Sequence, residues 1–198
     1  PNAVYGIASS DVYRNQAGRS WISKAIVYSL SSAVAGLVTG AALGAVGSFL
    51  PLDARLAIGS ILAVVAIAVG GLEFFGRRVQ PPQFDCETPQ RWVHRGPLRW
   101  AIRNGLALGF GATSRIGFWL WYVVPLGAFL VGDSRFGAVI YGTYGMIRAL
   151  GATVILLGMI RLKTDISDWL IERYGEARLL AAGQLVFLGV ATAIVVGL

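Results

Sequence analysis

Acid, histidine and cysteine are scarce in this chain of 198 residues, which holds ten Asp and Glu, one His and one Cys. A single cysteine excludes an intramolecular disulfide framework, and one Cys with one His excludes a zinc site built from those two types alone. Charge of either sign is thin as well. Charged residues make up 14% of the chain, against roughly a quarter in an ordinary soluble domain. Hydrophobic residues make up 56%, and the mean hydropathy is +0.65. An ordinary soluble globular protein is excluded, and so is intrinsic disorder, which needs low hydrophobicity and high charge.

What remains is apolar and long-run. A helix needs roughly 20 apolar residues to cross a hydrocarbon core about 30 Å thick. Runs of that kind cover about 25–50, 56–75, 104–131, 136–160 and 179–198. The first is free of charge, and the second carries only Glu73, close to its end. These runs predict an all-α fold: one polytopic membrane domain, 1–198, of five transmembrane helices, the third of them broken. A polar loop over 76–103 and a short interfacial helix over 164–175 complete the expected layout.

Basic residues orient it. Thirteen of the 17 Lys and Arg fall before the first run, between the second and third, or between the fourth and fifth; only Arg55 and Arg135 fall on the opposite side. The positive-inside rule then puts the N-terminus and loop 76–103 in the cytoplasm and the C-terminus outside, in a membrane of the bacterial plasma-membrane type. The net charge of +7 is mostly this topology signal, with attraction to anionic lipid second, and nucleic acid is not an expected partner. The first apolar run exceeds the 7–15 residues of a signal-peptide core, so no cleavable signal is expected there. A last hydrophobic run reaching Leu198 fits a native chain that continues further.

Gly36, Gly40 and Gly44 repeat every four residues on the first run. Small residues at i and i+4 let helix backbones approach closely where lipid gives no hydrophobic drive for association. They are expected to pack inside one bundle, with a homo-oligomeric seam or a substrate groove as the alternatives. Leu162, Ile166, Trp169, Leu170 and Tyr174 recur at helical spacing among Asp165, Asp168 and Glu172. This predicts an amphipathic helix in the cytoplasmic interface that ends near Gly175, or else a coupling helix for a cytosolic partner. The N-terminal segment with Val4, Tyr5, Val12 and Tyr13 shows a weaker pattern of the same kind. Four prolines in 76–99 exclude a long helix there. Asp85 and Glu87 flank Cys86 and disfavour its thiolate. Cys86, His94 and the two acids match no metal template, so this loop reads as inert, with no metal and no cofactor expected.

Two arginines demand an explanation. Arg115 lies about eleven residues into the third run and Arg148 about twelve into the fourth, near the bilayer midplane at 1.5 Å per residue. An Arg at a helix centre costs about 2.5–3.5 kcal/mol on insertion scales, and no Asp or Glu lies at that depth in any run. Carbonyls, water, a bound anion or an acid from another subunit must therefore meet them. Thr113, Ser114 and Arg115 sit among Gly109, Gly111 and Gly117, a composition that breaks a helix at a position where transporters place binding sites. Tyr141, Tyr144 and Arg148 fall on one helical face, where two phenols and a guanidinium can bind a carboxylate, a phosphate or a lipid head group.

From 103 to 160 the order of features resembles the second half of the CcdA/DsbD family of thiol-disulfide electron carriers. The residues that carry the likeness are the Gly-rich stretch 105–117 and the Tyr-Gly-Thr-Tyr-Gly-Met-Ile-Arg stretch 141–148. The resemblance implies a broken helix followed by a Gly- and Tyr-bearing helix. Ser114 and Arg115 stand where that family has Pro-Cys, and the first run has no cysteine. A two-cysteine relay within this chain is thus impossible, and the implied fold would serve binding or assembly.

Without His, Cys or carboxylate at membrane depth, general acid–base chemistry lacks its usual groups, and an enzyme is the weakest expectation. The function expected is an accessory or structural subunit of a membrane complex. Its candidate partner- or ligand-binding residues are Thr113, Ser114, Arg115, Tyr141, Tyr144 and Arg148, and its partners are the bilayer, other membrane subunits or further copies of itself. A small oligomeric permease for an anionic solute is the alternative.

Overall fold

The computed structural model describes residues 19–82, 97–111, 118–162 and 166–197, all-helical with no strand among them. The helices are α1 (Arg19–Ser48), α2 (Leu52–Phe74), α3 (Pro97–Phe110), a one-turn 3-10 helix (Trp119–Tyr122), α4 (Val123–Val131), α5 (Ser134–Leu162) and α6 (Ile166–Val196). Among the described residues, three stretches have the length and apolarity to cross a membrane: Ile22–Ser48, Leu52–Phe74 and Arg173–Val196.

The exposure pattern of α1 is inside-out compared with a soluble helix. Ile22, Ile26, Leu30, Val34 and Val38 recur every four residues and all stay more than half exposed, while Lys24, Ala25, Tyr28, Ser29, Ser32 and Ala35 are buried. In water such an apolar stripe would be a large sticky patch. In lipid it costs nothing, and small or polar residues take the helix contacts.

The third hydrophobic run does not form one helix. Pro97 opens α3, earlier than the expected start near residue 104, because its missing N–H is an orphan at a first helical position and its fixed φ suits the helix. The helix stops at Phe110 before Gly111 at φ 70°, and the chain resumes in the 3-10 turn and α4. At the other end, the expected stop near Gly175 is corrected: α6 runs unbroken from Ile166 through Gly175 to Val196. Gly ends a helix where it adopts the left-handed conformation, as Gly132 does after α4 at φ 61°. Gly175 stays helical, flanked by good helix formers and spanned by the Arg173–Glu176 pair at 2.6 Å.

By backbone contacts the chain divides into two compact units. One comprises residues 19–40, 97–111 and 138–162; the other comprises 41–82, 118–137 and 167–197. In the second unit, Gly44 and Gly47 let α1 meet the backbone at Asp133 and Phe129, closer than any side chain permits. Asp133 caps α5, its Oδ1 accepting from the N–H groups of Arg135 and Phe136 at 2.8 and 2.9 Å. Gly70 of α2 meets Ala182 and Val186 of α6, and Gly189 returns the contact at Ala63 and Ile67.

Candidate functional site

Three helices of the first unit meet at Ser32. A Cβ on Gly105 or Gly109 of α3 would strike the backbone of Tyr28 or Ser32, and one on Gly145 of α5 would lie 2.7 Å from the Ser32 carbonyl oxygen. Ser32 is fully buried and its hydroxyl donates to the Gly145 carbonyl at 3.0 Å. One turn along, a Cβ on Gly36 would lie 2.6 Å from the Tyr141 carbonyl oxygen. The order of these contacts makes α5 antiparallel to α1 and α3 parallel to it. Glycine is required at these positions because the neighbour is backbone, which cannot step aside.

This register brings Tyr141, Tyr144 and Arg148 to the same unit interior as Tyr28. Tyr141 is 2% exposed and its ring meets that of Tyr144 edge-on, centroids 6.1 Å apart. The charge of Arg148 reaches all three phenols, Tyr28, Tyr141 and Tyr144. Its Nη1 is buried and has no hydrogen-bond partner among the described residues. The side chains of Ser29, Asn104 and Thr153, each less than 8% exposed, also hold a polar atom without a partner. All lie in the first unit. An unpaired buried donor costs about 1–3 kcal/mol, and more where it carries charge.

Among the described residues, the second unit holds unmet buried donors as well, Arg55 Nε and Trp121 Nε1, beside groups that are paired. Arg55 packs on Gly132, and its Nη1 donates to the carbonyls of Leu130 and Val131 at 3.2 and 2.5 Å, meeting the free carbonyls at the end of α4. Glu73, 7% exposed, faces Arg178 at 3.7 Å, and Arg178 also donates to the Arg77 carbonyl at 2.8 Å. Trp119 and Tyr122 donate to the carbonyls of Val79 and Pro82, tying the chain after α2 to the 3-10 turn. A cavity of about 220 Å³ beside them is lined by Leu62, Val69, Leu126, Leu185 and Thr192 among others, with no charged side chain.

Thr113, Ser114 and Arg115 lie outside the described residues, as do Cys86, His94 and the N-terminal segment through residue 18. Of the glycine series, Gly36 and Gly44 make the backbone contacts given above, and Gly40 is buried between them. Reasoning from sequence missed Tyr28, Ser29, Ser32, Asn104 and Thr153. Its available signal was Tyr-Ser-Leu-Ser-Ser at 28–32, a polar cluster in an otherwise apolar run.

Helices of membrane-spanning length with an apolar outside and a small, polar inside define an α-helical membrane protein. The chain is similar to the methylamine utilization protein MauF of Paracoccus versutus, 26% identical over 178 residues that cover 87% of this chain and 64% of MauF. It therefore spans less than two thirds of that relative's length. No protein-family model and no solved structure matches it.

Proposed function

We propose that this chain is a non-catalytic accessory subunit of a larger membrane complex, in which Arg148 receives an anionic group from a partner, a lipid or a solute. The observation that carries this reading is the buried, unpartnered Nη1 of Arg148 among Tyr28, Tyr141 and Tyr144. A charge so placed in a membrane-spanning bundle costs several kcal/mol unless it is met. Five spans with a cytoplasmic N-terminus and an outer C-terminus, in a bacterial-type plasma membrane, belong to the same proposal. So does a helix order over 103–160 shared with the CcdA/DsbD family but without redox chemistry, since no cysteine lies in that stretch.

The name of MauF ties that relative to methylamine utilization, and we extend to this chain a role in the use of methylamine or a related small amine. Such an amine is a cation near neutral pH, and the fixed positive charge of Arg148 repels it. The part assigned here is therefore support of the machinery, not carriage of the amine. A second reading, a small oligomeric permease for an anionic solute, is favoured by the helix break after Phe110, since interrupted helices at membrane depth mark transporter sites.

The test is purification of the chain from its native membrane in mild detergent, with identification of what travels with it. Arg148→Gln removes the charge and keeps an amide donor on a shorter side chain. It is expected to leave yield and insertion unchanged and to reduce retention of the companion at least tenfold. The same companions at the same ratio in both proteins would contradict the reading.

A further inference from the structure

We propose that the interior of the first unit is a carboxylate site, in which one carboxylate group lies against the Arg148 guanidinium and is also held by the Asn104 amide and the Ser29 hydroxyl. The inference rests on the anion-binding part of the reading above and names the class of anion.

Register places the three residues together. Ser32 and Gly145 are joined by the hydroxyl-to-carbonyl bond at 3.0 Å. Ser29 and Arg148 each lie three residues from that bond, on antiparallel helices, so both sit about 4.5 Å from it in the same direction. Asn104 immediately precedes Gly105, whose position abuts Tyr28, Ser31 and Ser32. The backbones of Ser29, Asn104 and Arg148 thus stand at one level of a three-helix interior. The Ser29 hydroxyl, the Asn104 amide nitrogen and Arg148 Nη1 are each buried without a partner among the described residues.

The charge count selects the ligand. Among the described residues of this unit, Arg148 is the cation that holds a buried nitrogen without a hydrogen-bond partner, while Lys24 and Arg103 make contacts of their own. The other unmet groups of this unit, on Ser29, Asn104 and Thr153, are neutral. A monoanion is neutralised there, whereas a phosphate dianion would leave a buried negative charge unpaired. A planar guanidinium fits a planar carboxylate through two parallel hydrogen bonds. A carboxylate offers about four lone-pair positions, which Arg148, Asn104 and Ser29 can share with a tyrosine hydroxyl.

The group can belong to a free short-chain acid or to the head of a fatty acid. The full chain in detergent is therefore titrated separately with acetate, laurate, chloride and inorganic phosphate, following thermal unfolding and equilibrium binding. Acetate and laurate are both expected to bind one per chain and to raise Tm, with chloride and phosphate giving no shift. A response to laurate alone assigns the group to a fatty acid, and a response to acetate of equal or greater strength assigns it to a free acid. Asn104→Leu is expected to raise the carboxylate Kd about tenfold while leaving the unliganded Tm equal or higher, because it removes a buried unsatisfied amide. This outcome separates a ligand role from a structural one, where Tm would fall. Arg148→Gln is expected to abolish the shift, and the Asn104 variant stands alone where the Arg148 variant does not fold. Stronger binding of phosphate than of carboxylate would overturn the inference while leaving the anion-binding reading intact. Binding of neither carboxylate, or binding unchanged in Asn104→Leu, would overturn it as well, and the co-purification test then judges the accessory role independently.

Discussion

A methyl group on Gly36 would meet the Tyr141 carbonyl oxygen at 2.6 Å, and one on Gly71 would meet nothing within 4 Å. Two chemically identical substitutions therefore have opposite expected outcomes. Gly36→Ala forces two backbones apart and is expected to cost about 1–3 kcal/mol, as overpacking does. Gly71→Ala is expected to be neutral or to stabilise by up to about 1 kcal/mol, the helix propensity difference. Unfolding of both variants in detergent checks the pair, and equal effects would show that the Gly36 contact does not hold the bundle. The need for close packing at Gly36 and Gly44 was legible from four-residue spacing. That Ser32 is the junction was not, because a serine in an apolar run reads alike whether it bonds its own helix, as Thr39 does to Ala35 at 2.9 Å, or a neighbour. The oddity of Arg148 was legible from the cost of its charge alone. The company of Tyr28 on α1 was not, since only tertiary register brings that residue near its charge.

Helix ends show a similar division among the elements. The apolar cores of α1, α2 and α6 followed from hydropathy, because lipid rewards the same residue types whatever their neighbours. The ends at Pro97 and Gly175 did not, because local backbone conformation decides them. Arg55 was assigned to a polar connection, yet its guanidinium holds the last carbonyls of α4. Arg55→Met is expected to fray α4, raising amide hydrogen exchange at Gly132 and Asp133 while leaving α3 and α5 unchanged at Tyr141. The Glu73–Arg178 pair was within reach of sequence, since both residues fall at the cytoplasmic ends of their expected spans. Glu73→Gln leaves Arg178, 16% exposed, without its counter-charge and is expected to destabilise by about 3 kcal/mol, the lower range for a broken buried pair. A double-mutant cycle with Arg178→Gln isolates the pair, and a coupling near zero would reduce it to a coincidence of packing.

At the scale of the whole molecule, the distribution of basic residues predicts loop 76–103 on the cytoplasmic side. Cys86, the single cysteine, reports on this without engineering. An impermeant thiol reagent is expected to label it in inverted vesicles and not in intact cells, and labelling from outside would reverse the topology. Each unit leaves one buried arginine nitrogen unmet among the described residues, Arg55 Nε in the second and Arg148 Nη1 in the first, although Arg55 also donates to two carbonyls. The most direct test of the account is native mass spectrometry of the intact chain released from mild detergent, beside Arg148→Gln. The expected result is a bound species, subunit or small anion, that adds mass to the wild-type chain and is absent from the variant. A wild-type chain that flies bare, with the variant identical and equally stable, would contradict the claim that Arg148 is there to receive an anion.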